Sequence, residues 1–284
     1  MTIGEAIRAA AERLELHHVS NARLTAELLL AEALSVEREY LYAHDDRELR
    51  DGESQALEDR LYDRVSGVPL QYIIGRQEFY GRYFRVTPAV LIPRPETEYI
   101  IEAVLETVGP GNQGNQHAGP MRILDVGTGS GCIGVTLALE LAGARVLATD
   151  ISEEAVRVAR QNAAMLGADV GFSRMDVLDA ISGLFDFIVC NPPYVRRDDV
   201  SQLQREVRDH EPHVALFSPE DELAIYRRLV QGSEDLLQAG GRLIVEVGFG
   251  MDQRVLALFG EKWKTLPVKT DLQGIPRTVI AELR

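Results

Sequence analysis

Apolar residues recur at helical spacing early in the chain. Ala22, Leu24, Leu28, Leu29 and Leu30 fall with Ala26 and Ala33 on one face, and Glu and Arg fill the remainder. Leu57, Leu61 and Val65 repeat the pattern. Residues 1–85 are therefore expected to form a compact helical bundle and to enter a linker. Between 69 and 92 the texture changes. Tyr72, Ile73, Ile74, Phe79, Tyr80, Tyr83, Phe84 and Val86 are β-branched or aromatic, and Gly75 and Gly81 punctuate them. That pattern predicts a short hairpin bridging two domains. A helix is predicted from about Glu96 to Val108, then a surface loop rich in Gly, Asn and Gln from Gly109 to Gln116.

From residue 121 strands and helices alternate. Ile123–Val126, Arg145–Thr149, Phe187–Cys190, Leu243–Val247 and Thr278–Leu283 read as strands. Cys132–Leu141, a run capped by Ser152 and ending near Leu166, and Glu222–Leu237 read as helices. Residues 86–284 are thus expected to form an α/β domain, a mostly parallel sheet with helices on both faces.

Composition narrows the function classes. The chain of 284 residues is 45% hydrophobic and 26% charged, ordinary for a globular protein with a real core. Its formal net charge of -14 argues against a protein that lives on a nucleic-acid backbone, which usually offers a basic face. Only Cys132 and Cys190 are present, so no disulfide framework is implied and both are expected to be small buried hydrophobes. The start, Met1-Thr2-Ile3-Gly4-Glu5, has no basic patch followed by an apolar run, and no uninterrupted apolar stretch is long enough for a bilayer. The expectation is a cytoplasmic protein without membrane association.

Three signals carry chemistry. The first is Asp125-Val126-Gly127-Thr128-Gly129-Ser130-Gly131, at the end of a strand and the start of a helix. Alternate glycines let the backbone turn sharply and approach a ligand, although a tight turn without a ligand would use them equally well. The pattern is neither a phosphate-binding P-loop nor the usual dinucleotide fingerprint. The second is Asp150, ending the next strand about 20 residues on, the spacing of a ribose-binding carboxylate in dinucleotide-binding folds. A cap beside Ser152 is the competing role. The third is Asn191-Pro192-Pro193-Tyr194, directly after the strand Phe187–Cys190. Two prolines stiffen the turn. The Asn191 side-chain oxygen and the Pro192 carbonyl can accept both hydrogens of a planar –NH2 group, and the Tyr194 ring can lie on a flat amide or base. His210 and His213 lie near Glu206 and Asp209, but the spacing is generic and is expected to place solvent-facing polar side chains rather than a metal site.

Together these residues resemble the class I S-adenosylmethionine-dependent amino methyltransferases, a Rossmann-like fold with a seven-stranded sheet. That group includes methyltransferases of DNA and RNA as well as of protein glutamine. Further motifs separate them. Pro69-Leu70-Gln71-Tyr72-Ile73-Ile74-Gly75, Glu78-Phe79-Tyr80-Gly81 and Leu91-Ile92-Pro93-Arg94-Pro95-Glu96-Thr97-Glu98 resemble the release factor glutamine methyltransferases, the HemK or PrmC family. Glu206-Val207, Glu211-Pro212, Ala215-Leu216, Glu246-Val247-Gly248 and Asp271 with Gly274 and Arg277 fit the same family. One departure stands out: Phe217-Ser218-Pro219-Glu220-Asp221-Glu222-Leu223 replaces a glycine-rich turn.

The resemblance implies S-adenosylmethionine as cofactor and S-adenosylhomocysteine as product. Gly127, Thr128, Gly129, Ser130 and Gly131 would pass beneath the methionine part, Asp150 would bind the ribose, and Asp176 and Val177 would lie by the adenine. Asn191 would touch both cofactor and substrate. Asn191, Pro192 and Tyr194 are the expected catalytic residues, and Pro193 joins them in holding substrate. Arg94 and Thr97 would lie against the site, with a structural ion pair the competing role for Arg94. The implied substrate is the glutamine amide of a Gly-Gly-Gln loop in a peptide chain release factor, held in part by the N-terminal domain. The implied chemistry is direct in-line transfer, and the implied state is a monomer without direct nucleic-acid contact. The alternatives are glutamine in a ribosomal protein, the amino group of adenine in a nucleic acid, and a non-catalytic cofactor-binding module.

Overall fold

The computed structural model describes residues 1–109, 119–218 and 221–284. Most of the predicted Gly109–Gln116 loop therefore lies outside the described residues, as do Pro219 and Glu220 of the divergent turn. The chain forms two compact units, Met1–Arg76 with Gln204–His210, and Gln77–Leu203 with Glu211–Arg284. The division falls after Arg76, at the start of the hairpin and earlier than the boundary at 85 read from the sequence.

The first unit holds α1 (Ile3–Leu16), α2 (Ala22–Leu34), α3 (Arg38–Ala43), α4 (Asp51–Ser66) and α5 (Leu70–Ile74). Thr2 and Glu5 form a capping box that starts α1. Ile3, Leu14, Leu29, Leu30, Leu41, Leu57 and Leu61 make its core. Leu24 departs from the expected apolar face and is exposed. Ala22, Ala26, Leu29 and Leu30 lie on one stripe at i, i+4, i+7 and i+8, and Leu24 falls two positions off it.

Tyr72, Ile73 and Ile74 are helical, not the start of a hairpin. Pro69, whose ring fixes φ, precedes α5, and Gly75 closes it at φ +73°. The hairpin is shorter, β1 (Arg76–Phe79) and β2 (Arg82–Arg85). Tyr80 and Gly81 both take positive φ, the geometry of a two-residue turn whose twist matches its strands.

In the second unit a short 3₁₀ turn, Pro95–Thr97, leads into α6 (Glu98–Val108). There follow β3 (Arg122–Val126), α7 (Cys132–Glu140), β4 (Arg145–Asp150), α8 (Glu153–Leu166), β5 (Val170–Arg174) and β6 (Phe185–Cys190). The short helix α9 (Arg205–His210) belongs to the first unit. The remainder is α10 (His213–Leu216), α11 (Ala224–Ser233), β7 (Leu237–Glu246), α12 (Asp252–Leu256), β8 (Trp263–Thr265), β9 (Lys269–Thr270) and β10 (Pro276–Leu283). The helix expected over Glu222–Leu237 is thus shorter, and β7 begins at Leu237.

The sheet runs β5-β4-β3-β6-β7-β10-β8, seven strands in sequence of pairing, with β9 attached to β10. The pairs from β5 to β7 are parallel, and β10 is antiparallel to β7, β8 and β9. Successive residues of each central strand supply opposite cores. Leu124, Ile188 and Leu243 face Tyr226 and Leu229 of α11. Ile123, Phe187 and Ile244 face Ile101 and Val104 of α6 and Leu137 of α7. Both faces are covered, so the strands read as near-continuous apolar runs.

Winding reverses between β3·β4 and β3·β6, so the chain parts beyond the carboxyl ends of these strands, where open α/β sheets bind ligands. Leu243 lies fully buried in the central strand β7. Leu243→Ala should cost roughly 2–5 kcal/mol, because the cavity it leaves adds to the lost transfer energy. A urea titration should show a lower midpoint at an unchanged slope for the second unit.

Candidate functional site

A cavity of about 620 Å³ opens where β3, β4, β5 and β6 end, within the range of small-molecule sites. Its lining brings together most of the residues singled out by sequence: Gly127, Thr128, Gly129, Ser130, Asp150, Asp176, Val177, Asn191, Pro192, Pro193, Arg94 and Thr97. Gly131 sits just behind it, and Tyr194 is not among the lining residues.

The glycine turn is built for exposure of its backbone. Gly127, Gly129 and Gly131 take φ of +71°, +55° and +85°. An added Cβ at Gly131 would lie 3.1 Å from the Ala159 methyl, so this glycine also admits the close approach of α8. Asp125 braces the turn from within the core. Its Oδ2 accepts from Thr128 Oγ1 at 2.6 Å and from Gly134 N at 2.9 Å. Burial pushes its carboxyl up to about 6. Asn162 of α8, not singled out from the sequence, ties the turn to β2. Its Nδ2 donates to the Ser130 carbonyl (2.7 Å) and the Arg85 carbonyl (3.0 Å), and its Oδ1 accepts from Arg85 N (2.7 Å).

Asp150 makes the capping contact weighed for it and also holds the glycine turn. Its Oδ1 accepts from Ser152 N and its Oδ2 from Gly129 N, both at 2.9 Å. A carboxylate has about four acceptor sites, so capacity remains toward the cavity. Burial raises its carboxyl above the ordinary range. Ser152 independently caps α8 through Ala155 N. Beyond β5, Arg228 holds Asp176 at 3.0 Å. Val177 takes a φ of +50°, an outlier for a β-branched residue. Strain of this kind concentrates at ligand clamps.

The opposite side is organised around Asn191. Its Nδ2 donates to Thr97 Oγ1 at 3.0 Å, and Thr97 Oγ1 donates to Glu246 Oε2 at 2.6 Å. Glu246, at the end of β7, is buried, and burial pushes its carboxyl up to about 7. Neither Thr97 nor Glu246 carried a specific role in the sequence reading, because the bond between them spans 149 positions. Arg94 makes the ion pair weighed for it, with Glu211 of the same unit. Glu211 also accepts from Ile92 N at 3.3 Å, pinning the segment that leads to Thr97.

Tyr194 directly follows the Asn191-Pro192-Pro193 turn. Its ring packs against Gly248, where an added Cβ would come within 2.9 Å of Cδ2. It joins the core beneath β7, and burial raises its phenol pKa. The two histidines separate: His213 lines the cavity with its ring edge-on to Phe217, whereas His210 belongs to the first unit. Among the described residues no group of three or more His, Cys, Asp or Glu is placed to hold a metal ion.

Residues 5–75 match the PrmC N-terminal domain, and residues 115–208 match the methyltransferase small domain. The release factor glutamine methyltransferase of Koribacter versatilis is 44% identical, over 99% of this chain and 98% of its own. Those of Bradyrhizobium diazoefficiens and Bacillus cereus are 38% and 36% identical, over 99% and 90% of this chain and 94% and 91% of theirs. Among solved structures, much of this chain's fold recurs in a methyltransferase from Pyrococcus furiosus (TM-score 0.51, 17% identity, 79% of this chain and 96% of that one). It recurs also in the hMettl16 catalytic domain (TM-score 0.54, 18% identity, 78% of this chain and 81% of that one). The likeness over nearly the whole length, in both units, places this chain in the release factor glutamine methyltransferase family, whose members are S-adenosylmethionine-dependent enzymes.

Proposed function

We propose that this enzyme methylates the side-chain amide nitrogen of the glutamine in the Gly-Gly-Gln loop of a peptide chain release factor. The observation that carries the reading is the orientation of Asn191. With Nδ2 engaged by Thr97, its Oδ1 is left as an acceptor on a residue that lines the cavity.

The cavity fits the cofactor. Bare backbone at Gly127–Gly131 would carry the methionine part of S-adenosylmethionine, the spare acceptor capacity of Asp150 would take the ribose hydroxyls, and Asp176 and Val177 would flank the adenine. S-adenosylmethionine, when bound, supplies an electrophilic methyl group on a sulfonium. An amide nitrogen is a poor nucleophile, since its lone pair is delocalised into the carbonyl, and the chain's residues address that weakness. Asn191 Oδ1 and the Pro192 carbonyl would accept the two N–H bonds, holding the amide plane. They would also draw electron density onto nitrogen and stabilise the charge that develops there. Pro192 and Pro193 keep that carbonyl fixed. Tyr194, packed under the turn on Gly248, would support it from behind rather than stack on substrate. The first unit would hold the release factor.

The deciding assay is labelled-methyl transfer with native release factor, the same factor with its loop glutamine changed to alanine, ribosomal proteins and nucleic acid side by side. Label on native factor alone is the expected result; label only on another acceptor overturns the substrate. Asn191→Ala should lower kcat by roughly a hundredfold or more, the scale for removing a hydrogen bond realised in the transition state. Its S-adenosylmethionine affinity, measured by calorimetry, should change little. Asp150→Asn should do the reverse, weakening cofactor binding by about tenfold, equivalent to ~1.4 kcal/mol.

A further inference from the structure

The Asn191 amide takes its orientation from two distant stretches of chain. Thr97 ends the 3₁₀ turn before α6 and is buried. Glu246 ends β7, where its backbone carbonyl accepts from Tyr226 Oη at 2.8 Å and its strand pairs with β10 at Thr278. Both side chains are therefore anchored by elements that cannot slide independently of the sheet. We propose that Thr97 and Glu246 are positioning residues for methyl transfer. The hydrogen bonds from Asn191 Nδ2 to Thr97 Oγ1, and from Thr97 Oγ1 to Glu246 Oε2, fix the Asn191 amide so that Oδ1 faces the substrate nitrogen.

The inference rests on the reading that the methyl acceptor is an –NH2 group. An amide rotated by half a turn exchanges acceptor for donor, and Nδ2 facing an –NH2 group would set donor against donor. Something must choose the rotamer. A hydroxyl has one hydrogen to give. The 2.6 Å contact commits that hydrogen to Glu246, so only lone pairs of Thr97 Oγ1 remain for Asn191, which must then donate. An ionised carboxylate offers acceptors only and enforces this order. A protonated one can donate to Thr97 instead, and then the hydroxyl hydrogen is free to turn to Asn191 Oδ1.

Few other groups compete for the Glu246 carboxylate. The charges that act on it are Glu96, which opposes ionisation, and Arg277 and Arg94, which favour it. Arg277 is itself held by Asp271 at 2.8 Å and Glu96 at 3.8 Å, and Arg94 is held by Glu211. Tyr194, Tyr226, Cys190 and Cys132 also lie within its field, and burial raises the pKa of each. None of these four ionises in the neutral range, so Glu246 is the group in this set that titrates there.

The test compares native enzyme with Thr97→Val, Thr97→Ser and Glu246→Gln. Thr97→Val should lower kcat roughly tenfold to a hundredfold, the scale for misplacing a positioning group, while cofactor affinity stays within about twofold. Thr97→Ser, which restores the hydroxyl, should recover most of the loss. In the native enzyme kcat should rise with pH along a limb near 7. In Glu246→Gln that limb should flatten while activity persists, since the amide oxygen still accepts from Thr97 but does not titrate. Independently of any methyl acceptor, the side-chain amide resonances of Asn191, assigned by their loss in Asn191→Ala, should shift with the same pH limb. They should move in Thr97→Val and stop titrating in Glu246→Gln. Unchanged resonances and unchanged kcat in Thr97→Val, or Asn191 amide resonances that still titrate in Glu246→Gln, would overturn the inference. Failure of native enzyme to label release factor would instead overturn the substrate reading, and the resonances would still decide the hydrogen-bond chain.

Discussion

Strand β3 is hydrogen-bonded along both edges and buried on both faces, and everything in the site follows from that constraint. Its neighbours β4 and β6 run parallel to it, so each must be reached by a crossover through a helix or long connection. The crossovers leave in opposite senses, and a cavity opens beyond the strand ends. Val126, Asp150 and Cys190 at the strand ends then line a common opening, and loops rather than sheet decide its chemistry. The same geometry explains why Asp125 is a brace and not a ligand. It still belongs to the strand, with its side chain directed into the core, where it steadies Thr128 and Gly134.

The loops are held by bonds that cost the molecule something locally. Val177 sits in a conformation that a β-branched residue seldom adopts, and Asp125, Asp150 and Glu246 are carboxylates taken out of water. Such features persist only where surrounding packing over-determines them. Here the packing comes from α7 and α8 beneath the glycine turn and from α11 and β10 around the end of β7. Rigidity of the sheet is thereby transmitted to the amides and carboxylates that face the cavity.

Much of this was legible in the sequence. The glycines, Asp150 and Asn191-Pro192-Pro193 are local signals at strand ends, where a few residues determine a turn, and the structure brings them to one cavity. Strands with continuous apolar runs were equally plain. The misses have physical causes. Tyr72–Ile74 carry strand-like side chains, but Pro69 and Gly75 bracket them as a short helix. Leu24 matches in composition and not in phase. The packing of Tyr194 on Gly248, 54 positions on, is likewise invisible in the motif itself. Glu246, Thr97, Glu211 and Asn162 were unreadable as a group because each acts on a partner more than 75 positions away.

Glu246 shows how site and stability oppose one another. Its carboxyl shifts from an ordinary 4.5 up to about 7 in the folded chain, because burial disfavours the charge. Between those values the folded state binds a proton that the unfolded state has released. Its contribution to stability is therefore full below about 4.5 and is lost as pH rises through about 7. The form that orders Thr97 and Asn191 most strictly is the ionised one, which is also the form that folding disfavours. A better-solvated carboxylate would relieve the fold but would accept from water as readily as from Thr97. Burial weakens the charge and, by the same exclusion of solvent, leaves Thr97 as the donor that can satisfy it; orientation of Asn191 depends on that exclusion.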